Sequence, residues 1–427
     1  MSTPAAWRAA HAVLSTGAAI AALPVVLATS LIRPDWRLGL TQRLGAAPRC
    51  DERPVWFHAA SLGEVLAFAP LAQHLGERWP LVLSTTTAAG RRAAERLQPH
   101  LTVPPFTAPA DAWPLPGRAL QRVDPRALIL VETELWPHWI ERAAERQVPL
   151  ALVNGRLSAN STSRYRLVRP LFAGTLDRLD ILAMRSEEDA ERALSLGAPS
   201  DRTMVTGNLK FDAALALQDQ DDLSWSPAAG LTEGPWVVFG STAEGEEELL
   251  LPVFASLVRK LPELRLVLAP RAPRRFDEVA GLVERAGLSL TRRSGWTEGR
   301  ATEVPAGGVL LLDSLGELAR TYRHALVAFI GGSLVNHGGQ NPLEPAAAGC
   351  PVLMGPHAHN FRDAEAVLLP TGGVVRVSTD DVEARLTALL TDPAAGRERG
   401  QAAHDAVATG LGATERTAEL LAELIDS

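Results

Sequence analysis

The sequence predicts an α/β protein of two Rossmann-like domains that face a cleft, preceded by a helix that anchors the chain in a membrane. Three observations lead to this prediction. The chain has 427 residues, which suits two or three domains. After residue 53, short apolar runs alternate with amphipathic stretches, a pattern typical of βα units and parallel sheets. Between Arg8 and Arg33, no residue carries a formal charge.

The composition excludes several classes of protein. Hydrophobic residues make up 46% and charged residues 21% of the chain, so disordered, collagen-like and coiled-coil proteins are excluded. The net charge of −7 argues against a general nucleic-acid-binding protein. The only cysteines, Cys50 and Cys350, are too few for a disulfide framework, so a reducing compartment is expected.

The uncharged N-terminal segment is long enough to cross a bilayer. Its 24 residues, 9–32, would form a helix of about 36 Å. A cleaved signal peptide and a buried core helix are the alternatives, but the apolar run is long for a signal peptide and no small-residue cleavage site closes it. We therefore expect residues 1–33 to be an uncleaved membrane anchor. One arginine precedes the segment and four follow it, which places the rest of the chain in the cytoplasm by the positive-inside rule.

Two α/β domains are expected after the anchor, over residues 34–212 and 236–427. The polar stretch between them, 213–235, has no sustained apolar period and predicts an interdomain linker. In the first domain the expected strands are 55–60, 81–86, 127–132, 149–154 and 181–184, with helices near 65–79 and 91–98. In the second domain the expected strands are 236–240, 264–270, 308–313, 325–332 and 350–355, followed by helices within 381–427.

The stretch HAASLGEV joins the first expected strand to a helix. Ser61 or Gly63 would cap that helix, and Glu64 lies in its first turn. An acid in this position complements the helix dipole without any further role. The same position would keep a carboxylate ionised at the carboxyl end of a strand, where a general base faces the cleft. The residues alone favour neither interpretation.

Other charged residues follow strands of the first domain. The sequence VETELWP places Glu132 and Glu134 just after an apolar strand. Acids two apart on extended chain point the same way, so both would enter the cleft, unless the strand end is simply solvated. The polar loops NGRLS and GNLKFD hold Arg156, Asn208 and Lys210, which are candidate anion contacts.

The motifs of the second domain give little support for a dinucleotide-binding site, a P-loop or a metal site. GSTAEGEE at 240–247 follows a strand and opens a helix, as in a phosphate-cradling turn, and Arg271 lies just past another strand. No G-x-G-x-x-G follows a strand and no P-loop motif occurs, so dehydrogenase and P-loop interpretations lose their main support. The sequence HAH at 357–359 has no carboxylate or cysteine partner, so we expect no metal and no cofactor.

The stretch GGQNPLEP combines a helix start with glycines. Asn341, Pro342 and Glu344 predict a capping box. Capping does not explain the glycine pairs 331–332 and 338–339, which would leave the backbone bare for a close ligand. On that interpretation, Glu344 would hold a ribose hydroxyl.

These blocks together resemble the 3-deoxy-D-manno-octulosonic acid (Kdo) transferases, glycosyltransferase family 30. The blocks that carry the resemblance are HAASLGEV, VETELWP, NGRLS, GNLKFD, GSTAEGEE, LAPR, LGEL, FIGGSLV and GGQNPLEPAAAGCPVLMGPHAHNF. They occur in the family's order, from the N-terminal anchor to about residue 362. Any one block would be weak alone, but so many in one order make the resemblance specific.

The resemblance implies an inverting GT-B glycosyltransferase on the cytoplasmic face of the bacterial inner membrane. Members of this family move Kdo from CMP-Kdo to the lipid A precursor (lipid IVA) in lipopolysaccharide core synthesis, and their catalysis is regarded as metal-independent. The family's proton acceptor falls on Glu64, and its transition-state groups fall on Glu134 and Lys210. Its CMP contacts fall on Pro270, Arg271, Leu315, Gly316, Glu317, Asn341, Pro342, Leu343 and Glu344.

Two other functions fit the same blocks less well. One is another GT-B enzyme that uses a UDP-sugar on a membrane acceptor. The other is a non-catalytic membrane partner that binds a nucleotide. Retention of Glu64, Glu134 and Lys210 together disfavours the non-catalytic partner.

Overall fold

The chain forms two compact units, each built on one parallel sheet of seven strands. The first unit comprises residues 1–213 with 411–427, and the second comprises residues 214–410. The predicted two-domain α/β fold is therefore confirmed. The computed structural model describes residues 5–32, 37, 39–218, 234–296 and 303–426.

The sheet of the first unit has the strand order β3-β2-β1-β4-β5-β6-β7. The chain builds outward from β1 in one direction, then crosses back to β4 and builds in the other. The boundary between β1 and β4 is therefore the point where the topology switches. The strands are β1 (Val55–His58), β2 (Leu81–Thr85), β3 (Phe106–Thr107), β4 (Ala127–Val131), β5 (Leu150–Gly155), β6 (Ile181–Met184) and β7 (Thr203–Val205).

Helices cover both faces of this sheet, so its central strands are buried throughout. Trp56 of β1 packs in one apolar cluster with Leu128, whereas its neighbour Phe57 packs in another with Ile129. The helices between residues 5 and 216 are α1 (Ala5–Ile32), α2 (Leu40–Arg43), α3 (Leu62–Gly76), α4 (Ala88–Glu95), α5 (Leu115–Val123), α6 (Pro137–Glu145), α7 (Ala159–Leu167), α8 (Arg169–Leu176), α9 (Glu187–Leu196) and α10 (Leu209–Ala216).

The second unit repeats this plan with the order β10-β11-β9-β8-β12-β13-β14, so its topology switches between β8 and β12. Its strands are β8 (Trp236–Thr242), β9 (Arg265–Pro270), β10 (Leu290–Arg292), β11 (Val309–Leu311), β12 (Ala325–Ile330), β13 (Val352–Met354) and β14 (Val374–Arg376). Its helices are α11 (Glu246–Lys260), α12 (Phe276–Arg285), α13 (Leu318–Thr321), α14 (Leu343–Ala347), α15 (Arg362–Leu368), α16 (Val382–Thr391) and α17 (Pro393–Thr409).

The predicted linker and the predicted C-terminal boundary differ from what the structure describes. Residues 213–216 complete helix α10, and 219–233 lie outside the described residues. Helix α18 (Ala413–Asp426), which the sequence analysis gave to the second domain, belongs to the first unit. The reason is its apolar face, since Leu421 and Ile425 are buried in the same cluster as Phe68 of α3.

Helix α1 spans 28 residues and contains the whole uncharged segment, with Pro24 inside it. Residues Ala9–Val26 have a mean hydropathy of 1.7, and none of them is buried against the protein. By length and composition this helix could cross a membrane. A polar contact ties it to the first unit, because Ser15 Oγ lies 2.9 Å from Nε2 of His138 in α6.

Candidate active site

The charged residues predicted in the first unit gather at the switch point of its sheet. Glu64 lies in the first turn of α3, directly after β1, and Glu132 and Glu134 follow β4. Parallel α/β sheets bind ligands outside the carboxyl ends of their strands at this point. Lys210, at the start of α10, reaches the same edge through a contact with Glu132.

Two hydrogen-bond donors hold the Glu64 carboxylate. Ser61 is the N-cap residue of α3, as predicted, but its hydroxyl donates to Glu64 Oε1 at 2.7 Å rather than capping a backbone amide. The backbone N–H of Ala60 donates to Oε2 at 2.6 Å. The turn after β1 therefore fixes the orientation of this carboxylate.

The surroundings of Glu64 favour its protonated form. Burial, followed by the negative charges of Glu132 and Glu134, raises the pKa of Glu64 to about 7, although the bonds from Ser61 and Ala60 oppose the rise. The expectation that the helix start keeps Glu64 ionised is therefore wrong, because burial and like charges outweigh the dipole. A carboxyl with a pKa near neutrality can both accept and release a proton, as general base catalysis requires.

Glu132 leaves the extended conformation of its strand. Its φ of 63° turns the chain, so alternation along an extended strand is not what directs the two acids. Both nevertheless act on the pKa of Glu64. The Nζ atom of Lys210 lies 2.6 Å from Glu132 Oε1, and the two side chains are only 19% and 11% exposed. Glu132 thus supplies the counter-charge for Lys210.

Two asparagines, one in strand β5 and one in the loop before α10, position Lys210. The side chain of Asn154, which is buried and has a φ of 52°, accepts a hydrogen bond from the backbone N–H of Leu209. Asn208 Oδ1 accepts from the backbone N–H of Lys210 at 3.1 Å. Asn208 therefore orders the start of α10, whereas Arg156 contributes a backbone carbonyl that accepts from Thr133 Oγ1.

Glu134 contacts two aromatic rings that the sequence analysis did not single out. Its Oε2 lies 3.3 Å from Nε2 of His58 and accepts from Nε1 of Trp136 at 2.5 Å. His58 is the last residue of β1 and is 1% exposed. The signal was present in the sequence, because this histidine ends an apolar strand and is the first residue of the block HAASLGEV that carries Glu64.

In the second unit, the NPLE residues form a helix start that differs from the predicted capping box. Helix α14 begins at Leu343, with Pro342 at its N-cap position. Asn341 Oδ1 accepts from the Leu343 backbone N–H, while Asn341 Nδ2 donates to Glu344 Oε1 at 3.2 Å. Glu344 is thus held by the asparagine side chain rather than by a backbone N–H.

Arg271 acts electrostatically on the same helix start. It is exposed just past β9, beside the buried Pro270, and its backbone N–H donates to the carbonyl of Thr242. Burial raises the pKa of Glu344, and the charge of Arg271 opposes that rise. An exposed cation and a partly buried carboxyl therefore flank this edge of the sheet, as a nucleotide site needs.

The LGEL segment is arranged differently. The Glu317 carboxylate accepts from Arg293 Nη2 at 2.6 Å and from the Ser314 hydroxyl. Gly316 has a φ of 81°, and Leu315 is 46% exposed. The segment presents a turn at the surface, in which Glu317 has an ion-pair partner within the protein.

The GSTAEGEE turn is not an open phosphate cradle. The side chain of Glu246 is fully buried, and its carboxylate accepts hydrogen bonds from four backbone N–H groups. The donors are Ala243, Gly332, Ser333 and Leu334, at 2.5–2.9 Å. A protein carboxylate therefore occupies the position in which an anion would bind.

The glycine pairs around residue 335 serve the packing of the protein itself. A Cβ on Gly331 would collide with the backbone of Thr242, and one on Gly338 would collide with the side chain of Asn360. Gly338 and Gly339 also have positive φ values of 86° and 75°. The packing of the protein therefore accounts for these glycines, and a close ligand at this backbone stays a prediction.

Within the described ranges, no group of three or more His, Cys, Asp or Glu side chains is arranged to hold a metal ion. His357 and His359 belong to no such group there.

The sequence is similar to that of known transferases over most of its length. The sequence model of a family described as 3-deoxy-D-manno-octulosonic-acid transferase (kdotransferase) matches residues 37–213. A 3-deoxy-D-manno-octulosonic acid transferase of Bordetella pertussis is 37% identical over 411 residues, which cover 91% of this chain and 92% of that protein. A 3-deoxy-D-manno-octulosonic acid transferase of Haemophilus influenzae is 33% identical over 405 residues, covering 92% of each.

Solved structures share the architecture. The crystal structure of UDP-GlcNAc 2-epimerase from Neisseria meningitidis bound to UDP-GlcNAc aligns with a TM-score of 0.60. The alignment covers 86% of this chain and 99% of that chain at 15% identity, so it shows the GT-B fold alone.

Proposed function

Because the chain belongs to the 3-deoxy-D-manno-octulosonic acid (Kdo) transferase family, we propose that it moves Kdo from CMP-Kdo to the lipid A precursor lipid IVA in lipopolysaccharide core synthesis. The observation that carries the proposal is the Glu64 carboxylate, which two donors orient at the switch point and whose pKa is about 7. A group transfer to a hydroxyl needs one such base.

The proposed reaction is a single inverting displacement. Glu64 takes the proton of the acceptor hydroxyl as the oxygen forms a bond to the anomeric carbon of Kdo. The bond from that carbon to the CMP phosphate breaks, and CMP leaves with the bonding electrons. CMP is already a good leaving group, so the enzyme must supply chiefly a base and electrostatic stabilisation.

Glu134 and Lys210 are the proposed transition-state groups. Positive charge develops at an anomeric carbon as its leaving group departs, and the Glu134 carboxylate would stabilise that charge. Lys210 would stabilise the negative charge that develops on the departing CMP. Its position beside Glu132 supports this role, because the ion pair of 2.6 Å holds the ammonium at the same edge as Glu64.

The donor is proposed to bind the second unit, where Arg271 and Glu344 flank one edge of the sheet. Arg271 would contact the CMP phosphate, and Glu344 a ribose hydroxyl. The remaining proposed contacts are Pro270, Leu315, Gly316, Glu317, Asn341, Pro342 and Leu343. Because Glu246 fills the backbone nest formed by the loops after β8 and β12, the phosphate would be held by side chains such as Arg271.

We propose that the enzyme works on the cytoplasmic face of the inner membrane, where helix α1 anchors it. Support comes from the contact between Ser15 of α1 and His138 of α6. Helix α6 begins three residues after Glu134, so the anchor lies against the edge of the first unit that carries the proposed catalytic carboxylates. An acceptor embedded in the membrane would reach this edge without leaving the bilayer surface.

The deciding experiment is an assay of the full chain, in detergent micelles, with CMP-Kdo and lipid IVA. We expect the mass of the acceptor to rise by that of Kdo, and CMP to be released. Parallel reactions with UDP-sugars test the other GT-B function, and transfer from a UDP-sugar alone would replace our proposal. Binding of CMP without any transfer would instead identify a non-catalytic nucleotide-binding protein.

A further inference from the structure

A chain of buried polar side chains lies behind Glu134. His58 on β1 and Ser84 on β2 are partners in the register of the two strands. His58 Nδ1 lies 3.0 Å from Ser84 Oγ, and Trp56 Nε1 donates to the same Oγ at 2.8 Å. All three residues are 0–1% exposed. The other ring nitrogen of His58 faces Glu134 Oε2 at 3.3 Å.

The donor and acceptor chemistry gives this chain one direction. An indole N–H can only donate, so Ser84 Oγ accepts from Trp56 and keeps its own proton to give away. Its nearest acceptor is His58 Nδ1, since the carbonyl of Phe57 is farther, at 3.5 Å. A carboxylate only accepts, so His58 Nε2 must carry a proton toward Glu134. The hydrogen bonds therefore run from Trp56 to Ser84, from Ser84 to His58 and from His58 to Glu134.

The opposite tautomer is unfavourable in this setting. His58 Nδ1 could instead donate to the carbonyl of Ser84, 3.1 Å away. The lone pair of Nε2 would then face the Glu134 carboxylate, and the site would lose a donor. The Ser84 hydroxyl is what allows Nδ1 to act as an acceptor.

We propose that His58 is a positioning residue for Glu134, held as its Nε2–H tautomer by Ser84 and Trp56. Trp136 donates to the same Oε2 atom, so in the described part of the chain two ring N–H groups fix one oxygen of Glu134 and leave Oε1 to face the reacting groups. This inference rests on the proposed role of Glu134 in Kdo transfer. It adds the reason why a glutamate on a loop keeps one orientation.

Substitution of His58 separates positioning from packing. His58→Leu keeps the buried volume but removes the donor, so Glu134 loses its orientation and kcat falls by about 10²-fold, with little change in the KM for CMP-Kdo. His58→Gln retains an N–H and should restore most of kcat. Equal kcat values in the Leu variant and the wild type, at equal melting temperature, would overturn the inference.

A test of the tautomer needs no turnover. Nitrogen-15 NMR of histidine-labelled full-length protein should show a protonated Nε2 and an unprotonated Nδ1 for His58. In Ser84→Ala the proton should move to Nδ1, and kcat should fall as in His58→Leu. Thr85→Val is the matched control, because the adjacent buried Thr85 hydroxyl has no hydrogen-bond partner among the described residues. A protonated Nδ1 in the wild type would contradict the proposed direction of the hydrogen bonds from Trp56 to Glu134.

Glu134→Gln distinguishes this inference from the proposed function. Loss of turnover in Glu134→Gln, combined with normal kcat in His58→Leu, overturns the positioning role alone. Normal kcat in Glu134→Gln removes Glu134 from the transition state and the inference with it, whereas Kdo transfer by the wild-type protein would still stand.

Discussion

Burial, two neighbouring acids and two hydrogen-bond donors together set the pKa of Glu64. Its pKa is raised mainly by burial and by two acids that follow the neighbouring strand β4. Lys210 moderates this cluster by pairing with one of those acids, Glu132. The cluster lowers the stability of the folded protein above neutral pH, because a buried carboxyl that must ionise is destabilising.

We expect Glu64→Gln to lower turnover by about 10²–10⁴-fold, since the base is lost. Wild-type kcat should rise with pH through about 7, as Glu64 ionises, and the variant should lack this limb. CMP affinity should be unchanged. Rates measured from pH 5 to 9 test this, with Glu77→Gln at the exposed end of the same helix as control. Near-normal kcat would move the role of base to Glu134.

The same substitution should raise stability at high pH. The folded pKa of about 7 exceeds the ordinary value of 4.5, so the folded protein binds this proton more tightly than the unfolded chain does. Stability is therefore lost as pH rises from 4.5 through 7, by roughly 3 kcal/mol. Gln cannot ionise, so the melting temperature of the variant should exceed that of the wild type above pH 7 and match it near pH 4.

The donor site gives a separate prediction. Arg271→Ala should weaken CMP binding by about 1.5–3 kcal/mol, because a charge-assisted contact is lost. Glu344→Gln should weaken CMP binding at an unchanged melting temperature, since Gln still accepts from Asn341. Calorimetric titration with CMP measures both, with Arg274→Ala in the same exposed loop as control. Lost stability with normal affinity would make Glu344 a helix cap only.

At the scale of single residues, local sequence could predict residues that lie in short motifs, but not the contacts that these residues make across the sheet. Glu64, Glu134 and Lys210 each follow a recognisable strand or loop. The neighbours that tune them depend on register, because His58 meets Ser84 only once β1 and β2 are aligned. The turn GSTAEGEE does not reveal that Glu246 is buried, since the four backbone donors of its carboxylate come from two loops far apart in sequence.

At the scale of elements, the buried strands were predictable and the edge strands were not. All ten strands expected from apolar runs are present. The four that escaped prediction, β3, β7, β10 and β14, are the two edges of each sheet. They have only two or three residues and pair on one side, so they need no long apolar run.

The proposed anchor, helix α1, gives a prediction for a whole element. Deleting residues 1–32 should leave a folded protein with normal CMP affinity, because none of the apolar window of α1 is buried. The rate of Kdo transfer to lipid IVA embedded in vesicles should fall, whereas the rate with acceptor dispersed in detergent should fall less. Vesicle flotation and both assays test this. If the shortened protein still floats fully with vesicles, the arginines that follow the uncharged segment bind the membrane without the helix.

At the scale of the molecule, the first unit is discontinuous in sequence. Its last helix, α18, follows the whole second unit and packs its Leu421 and Ile425 beside α3, the helix that presents Glu64. The carboxylate of Asp212 joins the two parts by accepting from the backbone N–H groups of Gly412 and Thr414. The sequence could not predict this, since an amphipathic helix carries no sign of which sheet it covers.

Weakening α18 should therefore affect the first unit. Leu421→Ala removes a fully buried side chain and should cost about 2–5 kcal/mol of the unfolding free energy, while CMP binding by the second unit persists. The exposed Leu411→Ala should change little. Chemical denaturation, in which limited proteolysis reports the unfolding of each unit, measures the two unfolding free energies in both variants. Destabilisation confined to the second unit would contradict the placement of α18.

This discontinuity sets an order of events on the ribosome. The strands of the first unit emerge early in synthesis, but the helix that completes its core is translated only after residues 214–410. A nascent chain can thus finish the second unit while the first unit, which carries the proposed base, still exposes apolar surface on α3. A message truncated before residue 411 would yield a chain with a complete second unit and a first unit that lacks the helix covering α3.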